Sequence, residues 1–297
     1  MFQGIHTALI TPFRDGAIDG PALERLVEQQ LQAGVSGFVL FTAQGEGPLL
    51  SKNERKRVFQ HLAAHCPPGT PVIADCRAMS LDDTADLTRL AADMGAQAAL
   101  VTAPPYLLPA DDGAFEYLLA CARICALPII VHNVPARVNM EWTLPALVRL
   151  SRHENVIGLC DASANVSLIS QLSGAIPDGW TLFSASDGAV LSMLIAGCGA
   201  IVSTSANLVP ERHVRCWQHW QAGEPGRAQE IVASLAGFHD ALAQDSTAGS
   251  IKAALNIVGL CQAEVRLPVL WPLRQMVYRI AAEIDRLGIE IRNGEVP

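Results

Sequence analysis

A chain of 297 residues, half of them hydrophobic and 17% charged, is long enough for one large domain or two ordinary ones and can bury a sizeable core. That composition excludes a disordered chain, and a net charge of −8 with no basic block argues against nucleic acid or an anionic membrane surface as partner. No apolar run reaches the length of a membrane span, and Met1-Phe2-Gln3-Gly4-Ile5 lacks a basic stretch before an apolar core, so a cytoplasmic protein acting on small molecules is expected.

Short apolar runs alternate along the chain with amphipathic segments. In order the runs are Thr7-Ile10, Gly37-Phe41, Val72-Ala74, Ala98-Val101, Pro128-Val131, Val156-Leu159, Thr181-Phe183 and Ala200-Val202. Nearly every position in them is apolar, as in parallel strands covered on both faces. The segments between them read as helices. Leu23, Leu26, Val27, Gln30 and Leu31 form one stripe, and Leu87, Leu90, Ala91 and Met94 form another. Ser51 with Glu54 and Ser80 with Asp83 have the spacing of helix N-caps, and Ser163 stands before a further apolar-periodic stretch. Gly34 and Gly95 fall where helices should end, with positive φ available at no steric cost. Beyond about residue 224 the strand signals stop, and 228–244, 250–260 and 270–287 read as helices, with Pro268 and Pro272 marking the approach to the last.

Eight such β–α pairs predict an α/β fold, a (β/α)8 TIM barrel over residues 1–223, with a C-terminal helical extension over 224–297. A doubly wound open sheet is the alternative, but no glycine fingerprint follows the first strand. The eight cysteines, at 66, 76, 121, 125, 160, 198, 216 and 261, include no CxxC pair and read as reduced, mostly buried thiols. Cys121 and Cys125, one helical turn apart, are expected to pack, since two thiols alone make a poor zinc site. Cys76, His132 and Cys160 would suit zinc chemically, but they come from strands that are not all neighbours in a barrel. No metal and no cofactor is expected.

Chemistry in barrels of this kind lies at the C-terminal ends of the strands. That rule selects Thr11, residues 42–46, 75–77, 102–106 and 132–137, Cys160 and Asp161, residues 184–187, and 203–207. Glu46, Asp75 and Asp187 make this mouth acidic and Arg77 and Arg137 offset them, a mixture that suits an amino-bearing acid better than a simple dianion.

Several of these pieces occur together in a known order. They are Ala8-Leu9-Ile10-Thr11-Pro12-Phe13, Gly45-Glu46 with Leu50-Ser51-Lys52-Asn53-Glu54-Arg55, Asn133-Val134-Pro135-Ala136-Arg137, Ala162-Ser163, residues 184–187, and Ser203 with Ala206-Asn207. On these the chain resembles, over essentially its whole length, the dihydrodipicolinate synthase and N-acetylneuraminate lyase family of (β/α)8 aldolases. The resemblance implies a lysine at the end of the sixth barrel strand, whose imine with a 2-oxo acid stabilises the neighbouring carbanion. This chain has Cys160 there, and its only lysines are Lys52, Lys56 and Lys252. Lys52 and Lys56 fall on the second helix, and Lys252 matches a family lysine of the C-terminal helices, expected to be remote from the site.

Other mouth positions differ from the family pattern as well. The family tyrosine at the end of strand five is His132, the two threonines of the GTTGE-like loop are Ala43 and Gln44, and the small end of strand three is Asp75-Cys76-Arg77. Tyr106 matches the relay tyrosine that reaches a neighbouring subunit in the family, and Arg137 matches the entrance arginine that binds a substrate carboxylate. The resemblance implies a homodimer or homotetramer.

Three readings of function follow. The first is a lyase or aldolase without an imine, acting on a small 2-oxo acid or related carboxylate. Its catalytic candidates are Tyr106, His132 and Cys160, with Ala43, Gln44, Arg77, Arg137, Asp187 and Ser203 against the substrate. The second is a thiol enzyme, with Cys160 as nucleophile and His132 as base, because an imidazolium beside a thiol lowers its pKa. Asp161 would point to the opposite face of the strand and is not expected to orient the histidine. The third is a non-catalytic carboxylate-binding protein.

Overall fold

The computed structural model describes residues 2–107, 109–245 and 248–292, with residue 111 by its backbone alone. Among the described residues ten strands form: β1 (Gly4–Ala8), β2 (Phe13–Arg14), β3 (Ala17–Ile18), β4 (Gly37–Leu40), β5 (Val72–Asp75), β6 (Ala98–Val101), β7 (Ile129–Asn133), β8 (Val156–Asp161), β9 (Thr181–Ser184) and β10 (Ala200–Ser203). All but the β2–β3 hairpin close into a barrel of order β1-β10-β9-β8-β7-β6-β5-β4. The pairs from β5 to β10 are parallel. This is the (β/α)8 barrel expected from the strand pattern. Every residue of β1, β4, β5, β6, β7 and β10 is buried, which is why those runs carry no polar alternation.

The helices are α1 (Gly20–Ala33), α2 (Lys52–His65), α3 (Leu81–Asp93), α4 (Asp111–Ile124), α5 (Pro135–Val138), α6 (Leu144–Leu150), α7 (Val166–Ser173), α8 (Val190–Ile195), α9 (Pro210–Gln221), α10 (Pro225–Ala243), α11 (Ala248–Ile257) and α12 (Arg274–Arg286). Ser51 and Glu54 form a reciprocal capping box on α2, and Ser80 caps α3. Gly34 ends α1 at φ 86°, and Gly95, one residue past the cap of α3, has φ 92°. Among the described residues no helix is long and apolar enough to cross a membrane.

Two local expectations need correction. The first strand is Gly4–Ala8, three residues upstream of the predicted Thr7-Ile10. Leu9 and Ile10 are buried yet leave the sheet, because the Asn207 side chain takes over as partner: its Oδ1 accepts from Ile10 N at 3.1 Å and its Nδ2 donates to Ala8 O at 2.8 Å. Helix α7 is capped by Asn165, whose Oδ1 accepts from Leu168 N, while the Ser163 hydroxyl turns back to Asp161.

The chain divides into two compact units. The first holds residues 1–6, 37–39 and 71–202, with most of the barrel strands and helices α3 to α8. The second holds residues 7–36, 40–70 and the chain from Ser203 onward, and so includes the predicted helical extension 224–297, of which residues 246, 247 and 293–297 lie outside those described. Within the second unit α10 packs on α9 and α12, and α12 also packs on α11. Val277, Ile280 and Ile284 bury one stripe of α12 almost completely, each contributing ~1.5–3 kcal/mol.

Candidate active site

Strand register places the candidate side chains of the first unit. His132 pairs with Cys160 across β7 and β8, and Cys160 pairs with Phe183 across β9. Paired residues of parallel strands send their side chains to the same face. Thr102 follows directly on Val101, which pairs with Val131, so Thr102, His132 and Cys160 form one level on one face. Asp75 belongs to the same face two residues lower, through Leu100, Ile130 and Gly158. Gly158 is required at its place: a Cβ there would stand 2.4 Å from the Thr181 carbonyl oxygen.

This level is buried and under-satisfied. Thr102 is 1% exposed and His132 8%, yet Thr102 Oγ1 and His132 Nδ1 have no hydrogen-bond partner among the described residues. Unpaired buried polar atoms cost on the order of 1–3 kcal/mol each and mark places where a further group is received.

Arg77 is clasped by Asp75. Its Nε donates to Asp75 Oδ1 at 3.0 Å and to Oδ2 at 2.9 Å, its Nη2 also donates to Oδ2, and its backbone N–H donates to Oδ1 at 3.1 Å. Burial opposes the Arg77 charge, and the Asp75 carboxylate more than offsets it. The pair has a polarity. At His132 the Arg77 field outweighs that of Asp75, whereas at Cys160 the Asp75 field outweighs that of Arg77.

That polarity bears on the thiol reading. Burial first, then Arg77 and Arg137, lowers the His132 imidazole to about 3, so it is neutral at pH 7. Burial, Asp161, Cys198 and Asp75 push the Cys160 thiol far up. A thiolate–imidazolium pair needs both shifts in the opposite sense. The geometry brings Cys160 and His132 side by side, but their electrostatics leave both uncharged.

On the other face of the same strands, Asn133 pairs with Asp161 and donates to its Oδ1 at 2.6 Å. Ser163 Oγ donates to Asp161 Oδ1 at 2.8 Å and Ala164 N donates to Oδ2 at 3.0 Å. Burial raises the Asp161 pKa and these donors resist the rise. The network holds Ala164 at φ 57° and fixes the turn after β8. Asp161 is thus a structural residue, separate from the Cys160 face as the alternation of a strand requires.

Arg137 lies exposed on α5, and its field still reaches His132. Tyr106 is 89% exposed on the loop before α4 and holds a left-handed φ of 77°. Asp187 opens a short 3-10 turn after β9 and is half-buried.

Ala43, Gln44 and Ser203 belong to the second unit. Ala43 and Gln44 are half-buried in a loop tightened by hydrogen bonds from Glu46 N to Ala43 O and from Gly47 N to Thr42 O. Gly47 cannot be replaced there, since its Cβ would lie 1.8 Å from Phe41 O. Ser203 Oγ accepts from Ala206 N and lies 3.3 Å from His213 Nε2, inside a buried cluster with Ser205 and His239.

Glu46 and Lys252 depart from expectation. Lys252, predicted to be remote, donates to Glu46 Oε1 at 2.5 Å with neither side chain exposed. Glu46 Oε2 accepts from Arg266 N, and the Phe13 ring receives both Lys252 and Arg266 over its face. With Glu46 committed to Lys252 and Asp75 to Arg77, two of the three expected acidic mouth groups are already neutralised within the protein. Thr102 carries no individual role in the sequence pattern; its position one residue past an apolar strand run was the available signal.

A model of the Dihydrodipicolinate synthetase family matches residues 1–284. A 4-hydroxy-tetrahydrodipicolinate synthase of Hyphomonas neptunium is 35% identical over 274 residues, covering 92% of this chain and 94% of the relative. The same-named protein of Gluconobacter oxydans is 31% identical over 97% of this chain and 98% of its own. Among solved structures, the 4-hydroxy-tetrahydrodipicolinate synthase of Methylacidiphilum fumariolicum SolV superposes with a TM-score of 0.93 at 28% identity, covering 97% of this chain and 96% of that one. The chloride-inhibited dihydrodipicolinate synthase of Acinetobacter baumannii, complexed with pyruvate, gives 0.93 at 28% identity over 98% and 100%.

Proposed function

The chain belongs to the dihydrodipicolinate synthetase family, and from that premise we propose that it is a lyase of the aldolase or hydro-lyase type acting on a small 2-oxo acid without a lysine imine. The pyruvate bound by the Acinetobacter baumannii relative supports the ligand class. The observation that carries the absence of an imine is Cys160 at the sixth barrel strand's end, where the family resemblance puts the lysine. Lys52 and Lys56 lie on α2, and Lys252 on α11 is bound to Glu46. A thiol adding to a carbonyl gives a thiohemiketal, which has no C=N+ bond and is no electron sink.

Without an imine, the carbanion is stabilised as an enolate whose oxygen is held by fixed donors. Thr102 Oγ1–H, the N–H of neutral His132 and the Arg77 guanidinium are the donors of the first unit available for that task. Arg137 takes a substrate carboxylate, and Tyr106 moves a proton. The exposure of Tyr106 and of Leu107, at 62%, supports a homodimer or homotetramer in which this loop is covered by a second copy. Eight unbridged cysteines support a reducing compartment, the cytoplasm.

Borohydride reduction in the presence of pyruvate tests the central point. Intact-mass analysis is expected to find no covalent adduct, and a reduced adduct on any lysine overturns the reading.

A further inference from the structure

We propose that Glu24, Glu28 and His65 bind one divalent transition-metal ion of zinc's class, joining α1 to α2, with His61 holding the ligands in shape. The site lies wholly within the second unit and goes beyond the reading of function above.

Spacing brings the groups together. Glu24 and Glu28 are four residues apart on α1, and His61 and His65 are four apart on α2, so each pair occupies one face of its helix. The two helices pack on each other with these faces in contact. Two carboxylates at that spacing repel and weaken the helix that carries them, and a cation shared between them reverses the effect.

The hydrogen bonds leave the right atoms for a metal. His65 Nδ1 lies 2.9 Å from the His61 carbonyl oxygen, which can only accept, so Nδ1 carries the proton. In the neutral ring Nε2 is then a lone pair, and it faces Glu24 Oε2 at 4.0 Å and Glu28 Oε1 at 3.8 Å. Both separations are too long for a hydrogen bond. Glu24 is steadied in the same way: its Oε1 accepts from His61 Nδ1 at 2.8 Å, which leaves Oε2 for the ion. The His61 ring is itself packed on the start of α1, where a Cβ at Gly20 would stand 2.5 Å from its Cε1. An imidazole that donates its other N–H to a backbone carbonyl, beside a carboxylate held through its second oxygen, is how proteins orient metal ligands.

Distance and donor type point to the class of ion. Zinc bonds to imidazole nitrogen and carboxylate oxygen are ~2.0–2.2 Å long, which sets neighbouring ligand atoms of a tetrahedron roughly 3.3–3.6 Å apart. The two gaps at His65 exceed that by roughly half an ångström. The Glu24 and Glu28 side chains, 35% and 53% exposed, have the freedom to close it. With three protein ligands, a solvent molecule completes the tetrahedron. The mixed nitrogen and oxygen set favours zinc and its neighbours over magnesium and calcium, which take oxygen alone.

Titration of the intact, reduced protein with ZnCl2 at about pH 7.5, read by calorimetry and by melting temperature, tests the site. One zinc per chain is expected, with Tm raised by about 3–5 °C at about a hundredfold excess over Kd, and no such rise with MgCl2. His65→Gln and Glu24→Gln are each expected to weaken zinc binding about tenfold or more, and His61→Phe, which removes only the steadying hydrogen bond, about tenfold. Glu28→Gln changes the most exposed ligand and disturbs the fold least; it should weaken zinc about tenfold and reads the site should the other variants melt early. The eight cysteines are alternative ligands, and Co2+ in place of zinc separates the two cases. A thiolate-to-metal charge-transfer band would put the ion on sulfur and overturn the assignment. Absence of a bound equivalent, or an affinity unchanged by both His65→Gln and Glu24→Gln, overturns it as well.

Discussion

Lys252 and Glu46, 206 positions apart, form an ion pair in which neither side chain reaches solvent. Burial lowers the Lys252 pKa and Glu46 pulls it back, so the ammonium depends on its partner. Lys252→Met strands a buried carboxylate and is expected to cost ~3–5 kcal/mol by urea denaturation. Adding Glu46→Gln should restore most of the loss, because the amide oxygen can still accept from Arg266 N. A single-variant cost under about 1 kcal/mol would show that the pair does not hold this unit together.

Acid should destabilise the fold through two histidines. His6 is fully buried and lowered by burial to about 4, and His132 is lowered to about 3, both from 6.5. In the unfolded chain each binds a proton as pH falls through 6.5, while the native chain does not until about 4 or 3. Their stabilisation is therefore complete above about pH 6.5 and is lost as pH falls toward about 4 for His6, ~3 kcal/mol, and toward about 3 for His132, ~5 kcal/mol. His6→Met should flatten the plot of unfolding free energy against pH between about 6 and 4.5 by roughly 1.4 kcal/mol per pH unit. An unchanged slope would mean that His6 is charged in the native state.

Thiol labelling should rank the cysteines. Cys125 is half-buried, and the hydrogen bond from Cys121 lowers it to about 7, with burial opposing. Cys160 is buried and its pKa is raised. Under native conditions near pH 7.5, iodoacetamide is expected to modify Cys125 first and to leave Cys160 unlabelled. If peptide mapping found Cys160 first, the thiol mechanism would stand again.

Removing Asp161 should cost stability and leave the opposite strand face in place. Asp161→Ala orphans donors on Asn133, Ser163 and Ala164 and is expected to lose ~2–4 kcal/mol. Asp161→Asn should cost less: Asn133 Oδ1, buried and without a partner, can flip to accept from the new amide. Equal losses in the two variants would argue against this network.

The sequence made the barrel legible because strands covered on both faces need apolar residues at nearly every position, and the helices announce themselves by capping pairs such as Ser51 with Glu54. The same signal misplaced β1, since Leu9 and Ile10 are as apolar as a strand while their hydrogen bonds go to Asn207. Cys160 and His132 could be picked out from strand ends alone. Their charge states could not, because these are set chiefly by how deeply the folded barrel buries each group and only then by Asp75 and Arg77, whose clasp between residues two apart leaves no pattern. Nor does spacing show that Glu46 meets a lysine from a helix 206 residues later.

The Asp75–Arg77 clasp also bears on what a lysine at this strand end could do. In Cys160→Lys the new amine would meet the burial that dominates at Cys160, which opposes its charge, while the Asp75 carboxylate would favour it. Adding Asp75→Gly and Arg77→Ala is expected to speed borohydride trapping of a pyruvate adduct, because less of the amine is then held protonated and unable to attack a carbonyl. Equal trapping in the two variants would show that the clasp does not govern the chemistry open to this strand end.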